Sequence, residues 1–566
     1  MKKLWTPCLK KLSARLPGAS LTLTKKKLDD LTNLIGHSDS VAAEINQITK
    51  KLITPDSFEK QEKLPISPIL ADNLQILQQL FFHCIDVQFR DLAIGREQVT
   101  AMLIFIDGLA DKNRIDGHIV KSLMAVQCSP LAPTQGIAIQ SIKKLFLAAA
   151  EVREIATIGE ITETILTGDS VLLLDGAVTA LHIDTRGWES RDVSEPITES
   201  VVRGPREGFT ENIRTNTALL RRRIKTPRLR LEKYIVGRMT KTEVNLAYLT
   251  GTADDSVLEE VRRRIERIDV DSILESAYIE ELIEDAPYSM FPQIEHSERP
   301  DKVAAAILEG RVAIVIDGTP FVLIVPTVMI QFWQSSEDYY ERYPTAWLVR
   351  TVRFVYSTLA LLLPGIYVAI TNFHQEMLPT ALLINIAASH AGVPFPIYVE
   401  ALLMEITFET LREAGVRLPQ PVGQAVSIVG GLVIGEAAVR AGIVSPSTII
   451  VVAITGISSF ALPAYNLGWS LRLLRFVFGF LGFISGLYGI LLGLLILLIH
   501  ITSLRSFGVP YFTPLAPFKR QDIKDVFTRA PWWSMDERPV SISGSDANRR
   551  RQKYFLKPRP PGNSGW

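Results

Sequence analysis

The strongest chemical signal in this sequence is a set of charged residues in otherwise apolar surroundings. Glu400, Glu405, Glu409 and Arg412 lie in or beside the apolar run from Pro396 to Leu411, and Glu436 lies in the next one. A charge inside hydrocarbon costs about 2.5–3.5 kcal/mol even on the gentler insertion scale, so such side chains face a partner or water. Glu405, Glu409 and Arg412 are four and three residues apart and share one helix face; Glu400 points elsewhere. Two readings follow. The face borders a wet path for cations, with Glu405 deepest in the apolar run, or Glu409 makes a structural ion pair with Arg412 or Arg417 near a helix end.

A second signal is glycine spacing. Gly479, Gly482, Gly486, Gly489 and Gly493 recur every three or four residues, and Gly431, Gly435, Ala438 and Gly442 do so earlier. Such stripes lie along one helix face and let backbones approach closely. They are expected to be helix-packing surfaces, either within one chain or between copies in an oligomer.

These residues need an apolar scaffold, and the stretch from 351 to 504 supplies it. About 20 apolar residues cross a bilayer. Val352–Thr371 and the long stretch Leu473–Leu504, which starts with Arg472 and Arg475, meet that length, and Val426–Val444 and Thr448–Leu467 are two more candidate spans. Leu378–Ala391 is short and bounded by Pro379 and Pro394, as a re-entrant piece would be. The spacing predicts a polytopic α-helical domain over 346–505 with four to six crossings. Basic residues flank it on both sides, which by the positive-inside rule puts both ends in the cytoplasm. Ser335–Tyr343, rich in Tyr and acid, is expected to form an interfacial collar with Trp333.

The preceding sequence reads as soluble α/β structure in two domains, 61–155 and 156–345, after a basic extension over 1–60. Strands are expected at Phe81–Val87 and Thr100–Ile106 and a helix at Ile115–Met124. Asp175-Gly176 and Asp317-Gly318 each sit between apolar runs and predict two related hairpins, over Asp169–Asp184 and Arg311–Pro326. Leu258–Ile268 has mixed charges at helical spacing. A basic tail is expected over 506–566.

Several functions are excluded by type. Cys8, Cys84 and Cys128 have neither Cys-x-x-Cys nor Cys/His spacing, so no metal site or disulfide framework is expected. No P-loop, HExxH or GxSxG occurs, and the eight histidines, His374 and His390 among them, are scattered. Neither an enzyme nor a cofactor is expected. The basic stretch from Arg203 to Arg230 lacks an aromatic platform, so nucleic acid is not an expected partner. No apolar core precedes Pro17, so a secretory signal peptide is not expected. A secondary transporter is the main rival to a channel, but no duplication of the apolar block is visible.

Several phrases in one order carry a resemblance. They are ESVVRGPREGFTE at Glu199–Glu211, ERPD at Glu298–Asp301, LEGRV at Leu308–Val312, DGTPF at Asp317–Phe321, SEDYY at Ser336–Tyr340 and FETLREAGVRLP at Phe408–Pro419. Over residues 65–530 the chain resembles the A subunits of the GerA-type spore germinant receptors, more than their shorter relative associated with dipicolinate release. The resemblance implies an inner-membrane protein of bacterial endospores, with soluble domains facing the spore core. It implies a transporter-like B subunit that binds the nutrient and a C-subunit lipoprotein as partners. It further implies that copies form a ring-shaped channel releasing monovalent cations, or that the chain is a non-conducting scaffold of the same receptor. No catalytic residue carries over.

Overall fold

The computed structural model describes residues 61–94, 99–124, 152–187, 195–196, 198–417, 433, 435–544 and 549. The basic extension, Cys8, Cys128, Gly431 and the first part of the candidate span Val426–Val444 lie outside them.

Apolar runs and Asp-Gly turns build two five-stranded antiparallel sheets. The first is ordered β1 (Val87–Ile94), β2 (Val99–Ile106), β4 (Ser170–Leu174), β5 (Ala180–Ile183) and β3 (Val152–Ile155). The second is ordered β6 (Leu229–Val236), β7 (Thr242–Leu249), β9 (Val312–Ile316), β10 (Val322–Val325) and β8 (Glu295–Ser297). Both expected hairpins are present, as β4–β5 and β9–β10. Every residue of β4, β9 and β10 is buried, because helices cover both faces of each sheet.

The two units have one plan. Helix α1 (Leu70–Leu80) precedes the first sheet, and α2 (Ile158–Leu166) joins β3 to β4. In the second unit α3 (Ile213–Arg223) precedes the sheet, α4 (Asp255–Arg267) and α5 (Ser276–Ile283) follow β7, and α6 (Pro300–Leu308) joins β8 to β9. Matching elements start 142 or 143 residues apart, for example β4 and β9 at 170 and 312. Small hydrogen bonds repeat as well. Asp175 accepts from Leu70 N at 3.1 Å, and Asp317 accepts from Ile213 N at 3.2 Å. Asn73 bridges Ser67 as Asn216 bridges Thr210. Gly176 and Gly318, both at positive φ, donate their N–H back to the segment before each helix. The chain therefore carries a tandem structural repeat, and the expected boundary at 155/156 falls inside the first sheet. The reason is β3: it pairs with β5, far along the sequence, and draws 152–183 into the first unit.

The stretch Phe81–Asp86 is not a ladder strand. It docks as an isolated bridge beside β6, with Leu231 N donating to His83 O at 2.9 Å, and β1 begins only at Val87. Behind it Arg221 of α3 grips Asp86 bidentately at 2.6 and 2.9 Å, fully buried. This pair ties the two repeats together.

The apolar block follows. It contains α7 (Tyr343–Phe373), α8 (Thr380–His390), α9 (Ile397–Arg417), α10 (Pro446–Ser459) and α11 (Tyr465–Ser503). Among the described residues, α7 and α11 alone are long and apolar enough to cross a membrane as they stand. Helix α10 ends at Ser459 rather than Leu467, before Pro463. Helix α11 is not one span. Gly486, at φ 59° and ψ −145°, breaks it into legs 465–485 and 487–503 that fold back on one another. A Cβ at Gly489 would stand 2.5 Å from the Leu481 carbonyl oxygen, and one at Gly493 3.0 Å from the Phe478 ring. Both outer ends return to the soluble part, where Ser470 donates to Met290 O and His500 meets Ser289 Oγ at 3.0 Å.

The described residues after the block do not form a separate tail. A short hairpin (β11, Arg505–Ser506; β12, Val509–Pro510) leads into a strap over the second repeat. Phe507, Tyr511 and Ile542 are buried against that repeat, and Gly544 N donates to Thr252 O at 2.7 Å. The expected collar also faces protein. Tyr339 donates to Asp525 of the strap at 2.7 Å, Tyr340 donates to Asp301, and Trp333 donates to Ser357 at 2.8 Å.

Candidate functional site

The apolar block brings α9 against the first leg of α11, and there the charged residues meet. Arg475 Nε lies 2.5 Å from Glu405, and Arg472 Nη1 lies 2.9 Å from Glu409. Glu409 is also 3.8 Å from both Arg412 and Arg475. Arg475 is 2% exposed and Glu405 5%, so this is an interior network. The sequence spacing explains the fit. Carboxylates four apart on α9 face guanidinium groups three apart on α11, and both pairs project from one face. The glycine stripe brings α7 against the same leg: a Cβ at Gly482 would stand 2.5 Å from Gly365 O of α7, and one at Gly365 2.8 Å from Phe478 O.

Not every expected residue joins. Glu400 is fully buried but sits in a separate polar clasp. Its carboxylate lies 3.1 Å from His390 Nδ1 and accepts from Ser445 N at 2.9 Å and Thr448 Oγ1 at 3.2 Å. Tyr367 OH extends that clasp to Ser447 at 3.0 Å. It joins α7, α9 and α10 with the end of α8. Glu436 is exposed and, among the described residues, pairs with Arg440 at 2.6 Å. The glycines Gly479, Gly482, Gly489 and Gly493 pack within this one chain, and Gly486 forms the turn. Gly442 adopts positive φ near Gly392 O, and a Cβ at the buried Gly435 would meet no described atom within 4 Å.

Sequence reasoning treated Arg472 and Arg475 as markers of a helix start; the fold makes them the partners of Glu409 and Glu405. Their complementary spacing was the available signal. It also passed over His374. At the break in α11 the N–H of Leu487 loses its helical acceptor, and His374 Nε2 accepts it at 3.4 Å. Near the joint between block and soluble part, burial raises Glu284 to about 7, with Glu280, Asp285 and Glu281 adding to it against a hydrogen bond from Gln293 N. His296 lies at the same joint, 3.8 Å from Glu280 and 3.2 Å from Asn466 of α11. Burial lowers its pKa, but Glu280 more than offsets that and holds it above the usual value. Among the described residues no cluster of His, Cys, Asp or Glu could hold a metal ion.

The family described as Bacillus/Clostridium GerA spore germination protein matches residues 75–541. Spore germination protein KA of Bacillus subtilis is 47% identical over 508 residues, covering 90% of this chain and 92% of that protein. Spore germination protein GerLA of Bacillus cereus is 41% identical, covering 82% of this chain and 94% of its own length. A crystal structure of the N-terminal domain of the A subunit of the Bacillus megaterium spore germinant receptor GerK3 is 35% identical. It covers 48% of this chain and 99% of that chain, with a TM-score of 0.38.

Proposed function

This chain belongs to the GerA spore germination protein family, and from that premise we propose that it is the membrane-embedded subunit of a nutrient germinant receptor. Copies of it join in the spore inner membrane around a cation path, together with a nutrient-binding B subunit and a lipoprotein C subunit. The observation that carries this reading is the unbroken family match from the first sheet through the apolar block. The geometry supports it in one further respect. The soluble repeats are bonded to the block through α11 and the strap, so a signal on either side has a rigid route to the other.

The charge network marks where that route enters the block. Glu405 is held by Arg475, so conduction past it requires the pair to part. Glu405→Gln in an otherwise intact receptor is expected to change the rate of potassium release on nutrient addition, with the protein still present in the spore membrane. Unchanged release would remove Glu405 from the path. A non-conducting role in signal transmission is the second reading, and the pairing of both Glu405 and Glu409 within one chain favours it. Ohmic current from the reconstituted assembly would decide for the channel; its absence with every subunit present would decide for the scaffold.

A further inference from the structure

The charge network does not balance. Arg412, Arg472 and Arg475 bring three positive charges and Glu405 and Glu409 two negative ones, which leaves one positive charge over. Among the described residues no other carboxylate comes within 4.0 Å of these arginines. The surplus falls on Arg412. Its one charged neighbour, Glu409, is shared with both other arginines, and its second contact is the neutral hydroxyl of Ser459. Arg412 Nε and both Nε and Nη2 of the almost fully buried Arg475 have no hydrogen-bond partner among the described residues, as is also true of Glu405's oxygens and Glu409 Oε2, so it is the count of charges that marks the surplus. A charge left uncompensated in an apolar interior is strongly disfavoured, so this site calls for an anion.

The surroundings indicate its source. The first leg of α11 touches the soluble part at Ser470, and Arg472 is two residues further on. Phe460, Tyr465 and Trp469 are exposed at this level, by 67%, 55% and 37%. The Arg412 guanidinium lies 4.4 Å from the Phe460 ring, and that of Arg472 3.9 Å from Trp469. Exposed aromatic side chains beside the soluble face of an apolar block mark headgroup depth. Basic clefts between helices at that depth take acidic headgroups, and a planar guanidinium matches a phosphodiester. We propose that Arg412, backed by Arg475 and the Ser459 hydroxyl, binds the phosphate of an acidic phospholipid. This rests on the block lying in a membrane but not on its conducting ions.

The test uses the full-length chain purified in detergent and titrated with phosphatidylglycerol or phosphatidylcholine of the same acyl chains, with bound lipid counted by native mass spectrometry. Phosphatidylglycerol should be retained about fivefold better, which is what ~1 kcal/mol per basic residue at an acidic surface amounts to. Arg412→Gln should abolish the preference. Glu409→Gln, which raises the surplus to two charges, should strengthen it, whereas mere loosening of the helices would weaken it. Equal retention of the two lipids by the wild type, or an unchanged preference in Arg412→Gln, overturns the assignment. Displacement of phosphatidylglycerol by millimolar inorganic phosphate overturns it in favour of a free anion. Dissociation of an assembly in Arg412→Gln with the lipid count unchanged overturns it in favour of a second copy. Failure of the wild type to enter lipid nanodiscs would sink the membrane reading as well, and is seen separately from loss of preference.

Discussion

Cysteines placed at Leu481 and Gly493 should crosslink, because α11 turns back at Gly486. In a continuous helix the two positions are 12 residues, or about 18 Å, apart, and no disulfide reaches that far. In the folded-back geometry a Cβ at Gly493 comes within 2.7 Å of the Leu481 side chain. The perturbation to combine with this pair is Gly486→Ala. A backbone at φ 59° and ψ −145° belongs to a region that is essentially glycine-only, with a penalty for other residues of about 1–3 kcal/mol. A Cβ there also meets Phe373 Cβ at 3.1 Å and His374 Nε2 at 3.2 Å, so the middle of that range is a floor. About 2 kcal/mol shifts the ratio of folded-back to opened α11 by roughly 30-fold. The assay is thiol oxidation in native membranes, in a chain with Cys8, Cys84 and Cys128 replaced by serine, with free thiols counted afterwards. Rapid, complete oxidation is expected for Leu481→Cys with Gly493→Cys, and slower, partial oxidation once Gly486→Ala is added. Two free thiols in the parent pair would refute the turn.

Two further outcomes follow from the soluble part. Asp86→Asn strands the fully buried Arg221 without a counter-charge, so it should destabilise the detergent-solubilised chain by about 3–5 kcal/mol in thermal unfolding, and Asp86→Leu with Arg221→Leu should recover much of that; a loss under 1 kcal/mol would show the pair to be dispensable. Because Glu284 holds its proton up to about 7 when folded and releases it near the ordinary carboxylate value when unfolded, the folded chain binds more protons in between. Stability should therefore fall as pH rises from about 4.5 to about 7 and level off above, and Glu284→Gln should flatten that slope.

What the sequence made legible was local. Asp175-Gly176 and Asp317-Gly318 announced both hairpins because the turn chemistry sits in adjacent residues. The α9 carboxylates were visible because a charge in an apolar run is conspicuous. What it hid was distant in the chain. Pairing of β3 with β5 moved the first boundary, and nothing in Val152–Ile155 states that partner. Phe81–Asp86 reads as a strand because it is extended and apolar, yet its neighbour is β6, some 145 residues away. Arg472 and Arg475 find their carboxylates 63 or more residues upstream. The break at Gly486 was masked by its neighbours: in a row of five evenly spaced glycines, no feature of the sequence singles out the one that turns.

A body hung from one connection swivels about it, and torque applied to the body is lost. Besides the contacts of both ends of α11 with Met290 and Ser289, the chain itself ties the second repeat to the block twice. Its chain runs directly into α7, where Arg350 is gripped by Asp338 at 3.3 Å and by Asp525 at 2.8 Å, and the strap comes back from the far end of the block to close on Thr252. With both attachments engaged, the repeat cannot rotate without dragging α7 and the second leg of α11 in the same direction. A twist of the repeat thus has more than one route into the helices, and cutting the strap alone would leave the α11 contacts with Met290 and Ser289 as the remaining bonded link besides the chain entering α7.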